Sequence, residues 1–97
     1  MVRLEGNRAV FVGAVNVETV PALLPAGTAC VRNGAEVIDF ARVGEVDSSA
    51  VALALALLRT ARDAGSDLAF ASLPPAMVNL ARLYAVGDLI AMPHAQA

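Results

Sequence analysis

Histidine, cysteine and tryptophan are nearly missing from this sequence, which has one His, one Cys and no Trp. A single cysteine, Cys30, excludes a disulfide within the chain and fits a reducing compartment. His94, near the C-terminus, leaves the serines without an evident general base for nucleophilic catalysis. The sequence has neither a Cys/His cluster with metal-ligand spacing nor a G-x-x-x-x-G-K loop for nucleotide phosphates. These absences predict a protein that is not an enzyme and that has no catalytic residues, no metal and no cofactor.

An excess of basic charge and a long apolar run are also missing. The net charge of −2 gives no electrostatic reason to bind nucleic acid. The longest apolar run, residues 50–58, is about half of the ~20 residues that a bilayer span requires. The N-terminus has neither a basic region followed by an apolar segment nor a small-residue cleavage site. We therefore expect a soluble, cytoplasmic protein that binds no nucleic acid and does not insert into a membrane.

Aliphatic residues are what the sequence has in abundance. Apolar residues make up 58% of the chain and aromatic residues only 4%, so the core must be built from Ala, Val and Leu. This composition favours helices packed on a sheet over an aromatic-rich barrel. A length of 97 residues, without a linker or repeat, predicts one domain over residues 1–97.

The stretch from Val37 to Gly65 contains the two strongest structural signals. A central strand is predicted over residues 36–40, because short apolar runs rich in β-branched residues are typical of buried strands. Asp47-Ser48-Ser49 then opens the longest helical pattern, over residues 48–64, since Asp and Ser are preferred N-cap residues. Gly65 is the expected stop, because glycine commonly follows a helix C-terminus.

The remaining elements follow from turn residues and apolar spacing. Gly6-Asn7 between two β-prone runs indicates a hairpin, and alternation of strands and helices in the second half predicts parallel pairing. The prediction is therefore an α/β fold with a mixed sheet. Its other elements are strands at Val2–Glu5, Arg8–Val12 and Leu68–Ala71, a helix with Pro25 in its first turn and its end near Arg32, a helix from Ala76 to Tyr84, an edge strand at Leu89-Ile90 and a mobile tail over residues 93–97.

The predicted helix 48–64 has two distinct sides, since an α-helix advances about 100° per residue. The side expected to pack on the sheet carries Val51, Leu53, Ala54, Leu55, Leu57, Leu58 and Ala61. The opposite side carries Ser49, Ala52, Ala56, Arg59, Thr60 and Asp63. Its first two turns have only small side chains, which would let another protein approach closely. The alternative interpretation is that alanine is simply the best helix former.

Asp47-Ser48-Ser49 has two interpretations that the residues alone leave open. It is an N-cap and nothing more, or it is a switch at which a phosphate adds about two negative charges. The helix dipole would tolerate that charge, whereas Asp47 would repel it, and a docked partner would be displaced. Asp39 and Asp47 are interpreted as groups that cap and orient the loop between them.

Several of these segments resemble the STAS domain family. Asp39-Phe40, Val46-Asp47-Ser48-Ser49 and the Ala/Leu-rich helix that ends at Gly65 carry the resemblance. The most specific pieces of the resemblance are Val46-Asp47-Ser48, Leu53-Ala54-Leu55 and Leu80-Ala81-Arg82-Leu83-Tyr84. The last of these is more typical of the small stand-alone branch of the Mla phospholipid-trafficking system, the MlaB proteins, than of sigma-factor regulators. The resemblance covers nearly the whole chain after the first few residues. One departure is that Ala50 and Val51 stand where members often have Gly and Leu.

The resemblance implies a STAS-like mixed β-sheet with an N-terminal hairpin and about three helices packed mainly on one face. It implies a non-catalytic cytoplasmic adaptor, peripheral to the inner membrane, in an ABC transporter that moves phospholipid and keeps the outer membrane asymmetric. The direct partner would be the ATPase subunit. Ser48 occupies the position of a functional Ser or Thr that is phosphorylated in the sigma-factor branch.

The hypothesis is therefore that one surface at the start of the longest helix contacts the ATPase. This predicted docking surface consists of Asp47, Ser48, Ser49, Ala52, Ala56 and Arg59. The alternative is an anti-sigma-factor antagonist in which a kinase phosphorylates Ser48. A small hydrolase that uses Ser48 has little support, because no base is evident.

Overall fold

A computed structural model describes residues 1–83 of the chain. Its strands form one mixed sheet in the order β1-β2-β3-β4. The elements are β1 (Val2–Glu5), β2 (Arg8–Val15), α1 (Val20–Arg32), β3 (Val37–Val46), α2 (Ser48–Asp63), β4 (Ala69–Ala71) and α3 (Pro75–Leu83). The predicted edge strand at Leu89-Ile90, the tail over 93–97 and Tyr84 lie outside the described residues.

The pairing of the strands confirms the predicted mixed sheet. β1 and β2 are antiparallel and joined at Gly6-Asn7, where Gly6 has a φ of 63°. Only glycine adopts that left-handed conformation without steric cost, so it suits a tight hairpin turn. β2 pairs in parallel with β3, and β3 pairs in parallel with β4.

β3 is twice as long as the predicted strand, since it continues past Phe40 to Val46. The sequence of residues 41–46 does not predict this extension. Most of these side chains are exposed, and they do not alternate so as to form an apolar face. The extension is held by β2 alone: Arg42, Val43 and Val46 pair with it, whereas β4 reaches only as far as Asp39. The longer strand carries the chain to the start of α2 beside the end of β2.

α1 begins five residues before the position predicted from Pro25. Pro21 occupies its first turn, and Pro25 lies inside the helix. A proline in the first turn costs no hydrogen bond, because that N–H has no helical partner. Pro25 and Pro21 are both exposed, so water can bind the carbonyl oxygen that Pro25 leaves without a donor. The predicted end at Arg32 is confirmed.

The three helices contribute to one core on a single face of the sheet. Three phenylalanines of adjacent strands lie at its centre: the ring of Phe40 is 5.5 Å from that of Phe11 and 6.4 Å from that of Phe70. The opposite face carries an ion pair of 2.9 Å between Arg8 and Asp39. α2 is the most deeply packed helix, with buried Ala50, Val51, Leu53, Ala54, Leu57 and Ala61.

Two leucines on the predicted buried side of α2 pack against the core but are only partly covered. Leu55 and Leu58 are only half-buried, whereas Ala50 is fully buried. α2 contacts both α1 and α3. Its buried side is therefore set by these two helices as well as by the sheet. A helical wheel drawn for one flat partner does not capture this geometry.

Gly27 of α1 packs closely against Phe11 of β2 and Leu57 of α2, and enlarging it is expected to destabilise the fold. A Cβ at this buried position would lie 2.9 Å from Phe11 Cζ and 3.3 Å from Leu57 Cδ2. We expect Gly27→Val to lower the free energy of unfolding by about 3 kcal/mol through overpacking. Ala26→Val is the control, because Ala26 is the exposed neighbour. Urea denaturation measures both variants, and equal effects would contradict the close approach.

Candidate functional site

Asp47 organises the start of α2. It is the N-cap residue, with an extended backbone of φ −133° and ψ −169°. Its Oδ1 accepts hydrogen bonds from the Ser49 backbone N–H at 2.8 Å and from the Ser49 hydroxyl at 2.6 Å. The carboxylate thereby satisfies a free N–H of the first turn, as an N-cap should. The helix start predicted from Asp47-Ser48-Ser49 is confirmed.

The same carboxylate also binds the loop between β2 and α1. Asp47 Oδ2 accepts a hydrogen bond of 3.1 Å from the backbone N–H of Val17. That loop is held internally, because Asn16 Oδ1 accepts the N–H groups of Glu18 and Thr19 at 3.0 and 3.1 Å. The Thr19 hydroxyl in turn donates to the Ala14 carbonyl at 3.0 Å. Asp47 therefore joins two chain segments at one end of the fold.

These hydrogen bonds lower the pKa of Asp47. The largest cause is the hydrogen bond from the Ser49 hydroxyl. Desolvation comes second and opposes it, and the backbone N–H groups of Ser49 and Val17 lower the pKa further. Hydrogen bonds to the charged form of a carboxyl stabilise that form. The group is accordingly ionised at neutral pH, where it adds a negative charge next to Ser48.

The lowered pKa of Asp47 predicts an acid-dependent part of the stability. The ionised carboxylate stabilises the fold above the pKa of an unfolded aspartate, and this stabilisation is lost as the pH falls through the lower folded pKa. We expect the free energy of unfolding to fall less steeply below about pH 4 in Asp47→Asn than in the wild type. Asparagine is itself a good N-cap, so the variant should fold.

The charge-matched control for this measurement is Asp63→Asn. Asp63 is exposed at the end of the same helix, and its side chain has no hydrogen bond to any residue of the described part. Urea denaturation across the acid range should give this variant the wild-type pH dependence. If the free energy of unfolding of Asp47→Asn depends on pH as it does in the wild type, the proposed role of the Asp47 carboxylate is contradicted.

The two serines of the predicted docking surface have different surroundings. Ser49 is half-buried, and its hydroxyl is used in the bond to Asp47. Ser48 is exposed, and its hydroxyl bonds to nothing within residues 1–83. Ser48 is therefore the serine whose hydroxyl is open to a partner or to modification, while Ser49 belongs to the cap.

The other members of the predicted docking surface continue along one side of α2. Ala52 is exposed, Ala56 is half-buried and Arg59 is exposed. From Ser48, steps of four, four and three residues keep these positions within one stripe, because residues three and four apart are neighbours on a helix. The stripe runs about 16 Å at 1.5 Å per residue. The structure thus brings all six predicted residues together at one end and along one side of α2.

Val17 lies at this end of the fold and was missed from the sequence. Its side chain is 69% exposed, the second highest value among the exposed large apolar residues. The hydrogen bond from its N–H to Asp47 places it beside the start of α2. The sequence does indicate an apolar residue in an exposed turn, because Val17 lies between the turn-forming Asn16 and the charged Glu18. It does not indicate that this turn lies next to Asp47.

Asp39 does not belong to this site. It lies in β3, where its carboxylate accepts a hydrogen bond from Arg8 at 2.9 Å and from the Ala41 backbone N–H at 2.8 Å. No group of three or more His, Cys, Asp or Glu side chains within residues 1–83 is arranged to hold a metal ion. The helices of that same range are also too short or too polar to cross a membrane.

Comparisons with known proteins give a family and a fold. A family model described as "Mlab, STAS domain" matches residues 4–91. No curated protein sequence matches significantly. Among solved structures, an anti-sigma factor antagonist, SpoIIAA in its unphosphorylated form, is similar with a TM-score of 0.69 over 93% of this chain and 84% of that chain. The identity is 17%, so this likeness shows the fold alone. The family match spans most of the sequence, and the chain therefore belongs to the STAS domain family, in its MlaB-type group.

Proposed function

We propose that this chain is a non-catalytic adaptor subunit of a phospholipid-transport ABC complex that maintains outer-membrane lipid asymmetry. The observation that carries the proposal is the match to the MlaB-type family model over residues 4–91. The partner is the ATPase subunit, and through it the permease complex. The chain is cytoplasmic and reaches the inner membrane only through that complex.

The docking surface at the start of α2 has the shape that close protein contact requires. Ala52 and Ala56 present one methyl group each, so a partner can approach the helix backbone without meeting long side chains. Ser48 adds a free hydroxyl that can both donate and accept a hydrogen bond. Arg59 stands at the far end of the stripe, and arginine is enriched at protein interfaces. Val17, whose N–H bonds to Asp47, adds exposed apolar area at the same end of the fold.

Binding alone explains how such a subunit supports transport. A protein that binds one arrangement of the ATPase more tightly than others shifts the population towards that arrangement. The internal hydrogen bonds of Asp47 and of the loop over residues 16–19 keep the docking surface in one conformation before binding. A pre-formed surface loses less conformational entropy when it binds. No chemical step in this chain is required.

A negative charge introduced at Ser48 tests whether the docking surface contacts the ATPase subunit. Ser48→Glu places a second negative charge next to the ionised Asp47, at the N-terminal end of the docking surface. We expect the ATPase subunit to bind about tenfold more weakly, a cost of about 1.4 kcal/mol. Ser48→Ala is the matched control, since it removes the hydroxyl without adding charge, and it should bind within about threefold of the wild type. Pull-down and titration calorimetry with the purified ATPase subunit measure both, and unchanged binding of Ser48→Glu would remove Ser48 from the interface.

A second candidate function is an anti-sigma-factor antagonist regulated at Ser48. The free, exposed hydroxyl of Ser48 favours it, because a kinase requires an accessible acceptor. Ala50 and Val51 weigh against it: both are buried against the core, which fixes the first turn of α2 that a kinase would have to reshape. Mass spectrometry after incubation with ATP and a regulatory kinase tests this function, which requires phosphate on Ser48. A neighbouring permease and ATPase gene pair would favour the adaptor, and a sigma-factor and kinase pair would favour the antagonist.

A further inference from the structure

A groove lies on the side of α2 towards its C-terminal half. Its volume is about 160 Å³, and Leu55, Leu58, Arg59 and Arg62 line it. The spacing of i, i+3, i+4 and i+7 places these residues on one side of the helix. The two leucines are half-buried and the two arginines are exposed. The groove therefore combines apolar walls with a cationic rim.

The arginines of this groove have no acidic partner within residues 1–83. Neither Arg59 nor Arg62 forms an ion pair there, although Asp63 is next to Arg62 and one turn beyond Arg59. A guanidinium presents several N–H donors in a rigid plane that matches a carboxylate in a bidentate geometry. Two such groups beside one apolar groove are complementary to a ligand that carries both a carboxylate and an apolar group.

The size of the groove and the charge of the chain distinguish a protein segment from a membrane. A volume of 160 Å³ resembles the ~150 Å³ cavity that accommodates benzene, so the groove has room for one apolar side chain. Adsorption to an anionic membrane needs clusters of four to eight basic residues, with about 1 kcal/mol from each. This chain has a net charge of −2, and two arginines are the basic residues that line the groove within the described range 1–83. The chemistry favours a protein segment.

We propose that this groove binds an acidic, amphipathic segment of a protein partner. One apolar side chain of that segment lies between Leu55 and Leu58, and a neighbouring carboxylate bonds to Arg59 and Arg62. This mode corresponds to an amphipathic segment in an apolar groove, a common form of peptide recognition. The inference goes beyond the proposed function, because it concerns the groove over residues 55–62, which shares only Arg59 with the docking surface, and it holds for any partner with this chemistry.

A random peptide display library tests the proposal for any partner of this chemistry. Selection of 12-residue peptides on the full-length chain is expected to enrich sequences with an apolar residue beside Asp or Glu. A synthetic copy of the strongest peptide should bind the double variant Arg59→Glu/Arg62→Glu at least about tenfold more weakly than the wild type. Its binding should shift the backbone NMR signals of residues 55–62.

Two control variants show whether the peptide binds at this groove or elsewhere on the domain. Arg32→Glu makes the same substitution once, half of the charge change of the double variant, at an exposed arginine of α1 and should bind the peptide as the wild type does. Ser48→Glu, which tests the proposed ATPase surface, should also leave peptide binding unchanged, so the two proposals fail separately. Thermal unfolding of each variant checks that the fold is kept.

Three results would overturn the proposal. One is the enrichment of peptides without acidic residues or the failure to enrich any peptide. Another is equal binding of the selected peptide to the wild type and to the double variant. In the third, the wild type sediments with phosphatidylglycerol vesicles, the double variant does not, and the selection yields no acidic peptide. That result would assign the groove to a membrane.

Discussion

Replacing Ala52 with arginine is expected to weaken binding of the ATPase subunit by about 100-fold. Ala52 is exposed in the middle of the docking surface, between Ser48 and Ala56. A long charged side chain there would hold the partner away from the helix and leave the neighbouring contacts unmade. Truncations at the centre of an interface cost about 2 kcal/mol or more, and we expect about 3 kcal/mol here, a loss of about 100-fold.

The control for this prediction is Ala29→Arg, which adds the same side chain at an exposed position of α1. Both variants should unfold at the wild-type denaturant concentration, because neither position is buried. Titration calorimetry with the ATPase subunit should show near wild-type affinity for Ala29→Arg and an affinity about 100-fold lower for Ala52→Arg. Equal affinities would mean that the partner does not contact the start of α2.

Removing the ring of Phe40 is expected to cause the largest loss of stability. Phe40 is 1% exposed and lies between the rings of Phe11 and Phe70, so it joins three strands below the helices. A buried phenylalanine replaced by alanine loses its transfer free energy and leaves a cavity, which together cost about 3–5 kcal/mol. For a domain of this size that corresponds to a decrease in melting temperature of roughly 15–30 °C.

Val37→Ala serves as the comparison for Phe40→Ala. Val37 lies on the same strand but is only half-buried and belongs to the opposite face of the sheet. We expect this change to cost about 1 kcal/mol. Thermal and urea unfolding measure both variants, and similar losses would contradict the placement of the core on one face.

The sequence was most informative where one local rule was sufficient. Gly6-Asn7 predicted the hairpin, because glycine and asparagine suit its turn. The start of α2 followed from Asp47, since its N-cap role depends on side-chain chemistry within two residues. Both features involve contacts that are close in sequence, and both were correct.

Features that depend on distant contacts were not predicted. The second half of β3 pairs with β2 along one edge and lacks an apolar pattern, so the strand is visible only from its partner. α1 can begin at Val20 because Pro25 lies on its exposed side, where a proline inside a helix is tolerated. The sequence around Pro25 does not show that this position is exposed. Val17 joins the site through a hydrogen bond to a residue 30 positions away.

The exposure of the residues in the groove on α2 also depends on contacts that are distant in sequence. The helical wheel predicts that Leu55 and Leu58 pack inward, and both do pack against the core, but only in part. The structure leaves them half-buried beside Arg59 and Arg62. Which side chains a neighbouring helix covers depends on the packing of α1 and α3 against α2, and periodicity carries no information about that arrangement.

A cryo-EM map of this chain bound to the ATPase subunit tests the central claim most directly. The proposed function predicts that Ser48 and Ala52 lie within about 4 Å of the partner, the distance of direct contact between side chains, with Val17 at the edge of the same interface. A map in which the start of α2 faces solvent, while the ATPase binds another surface of the domain, would contradict it.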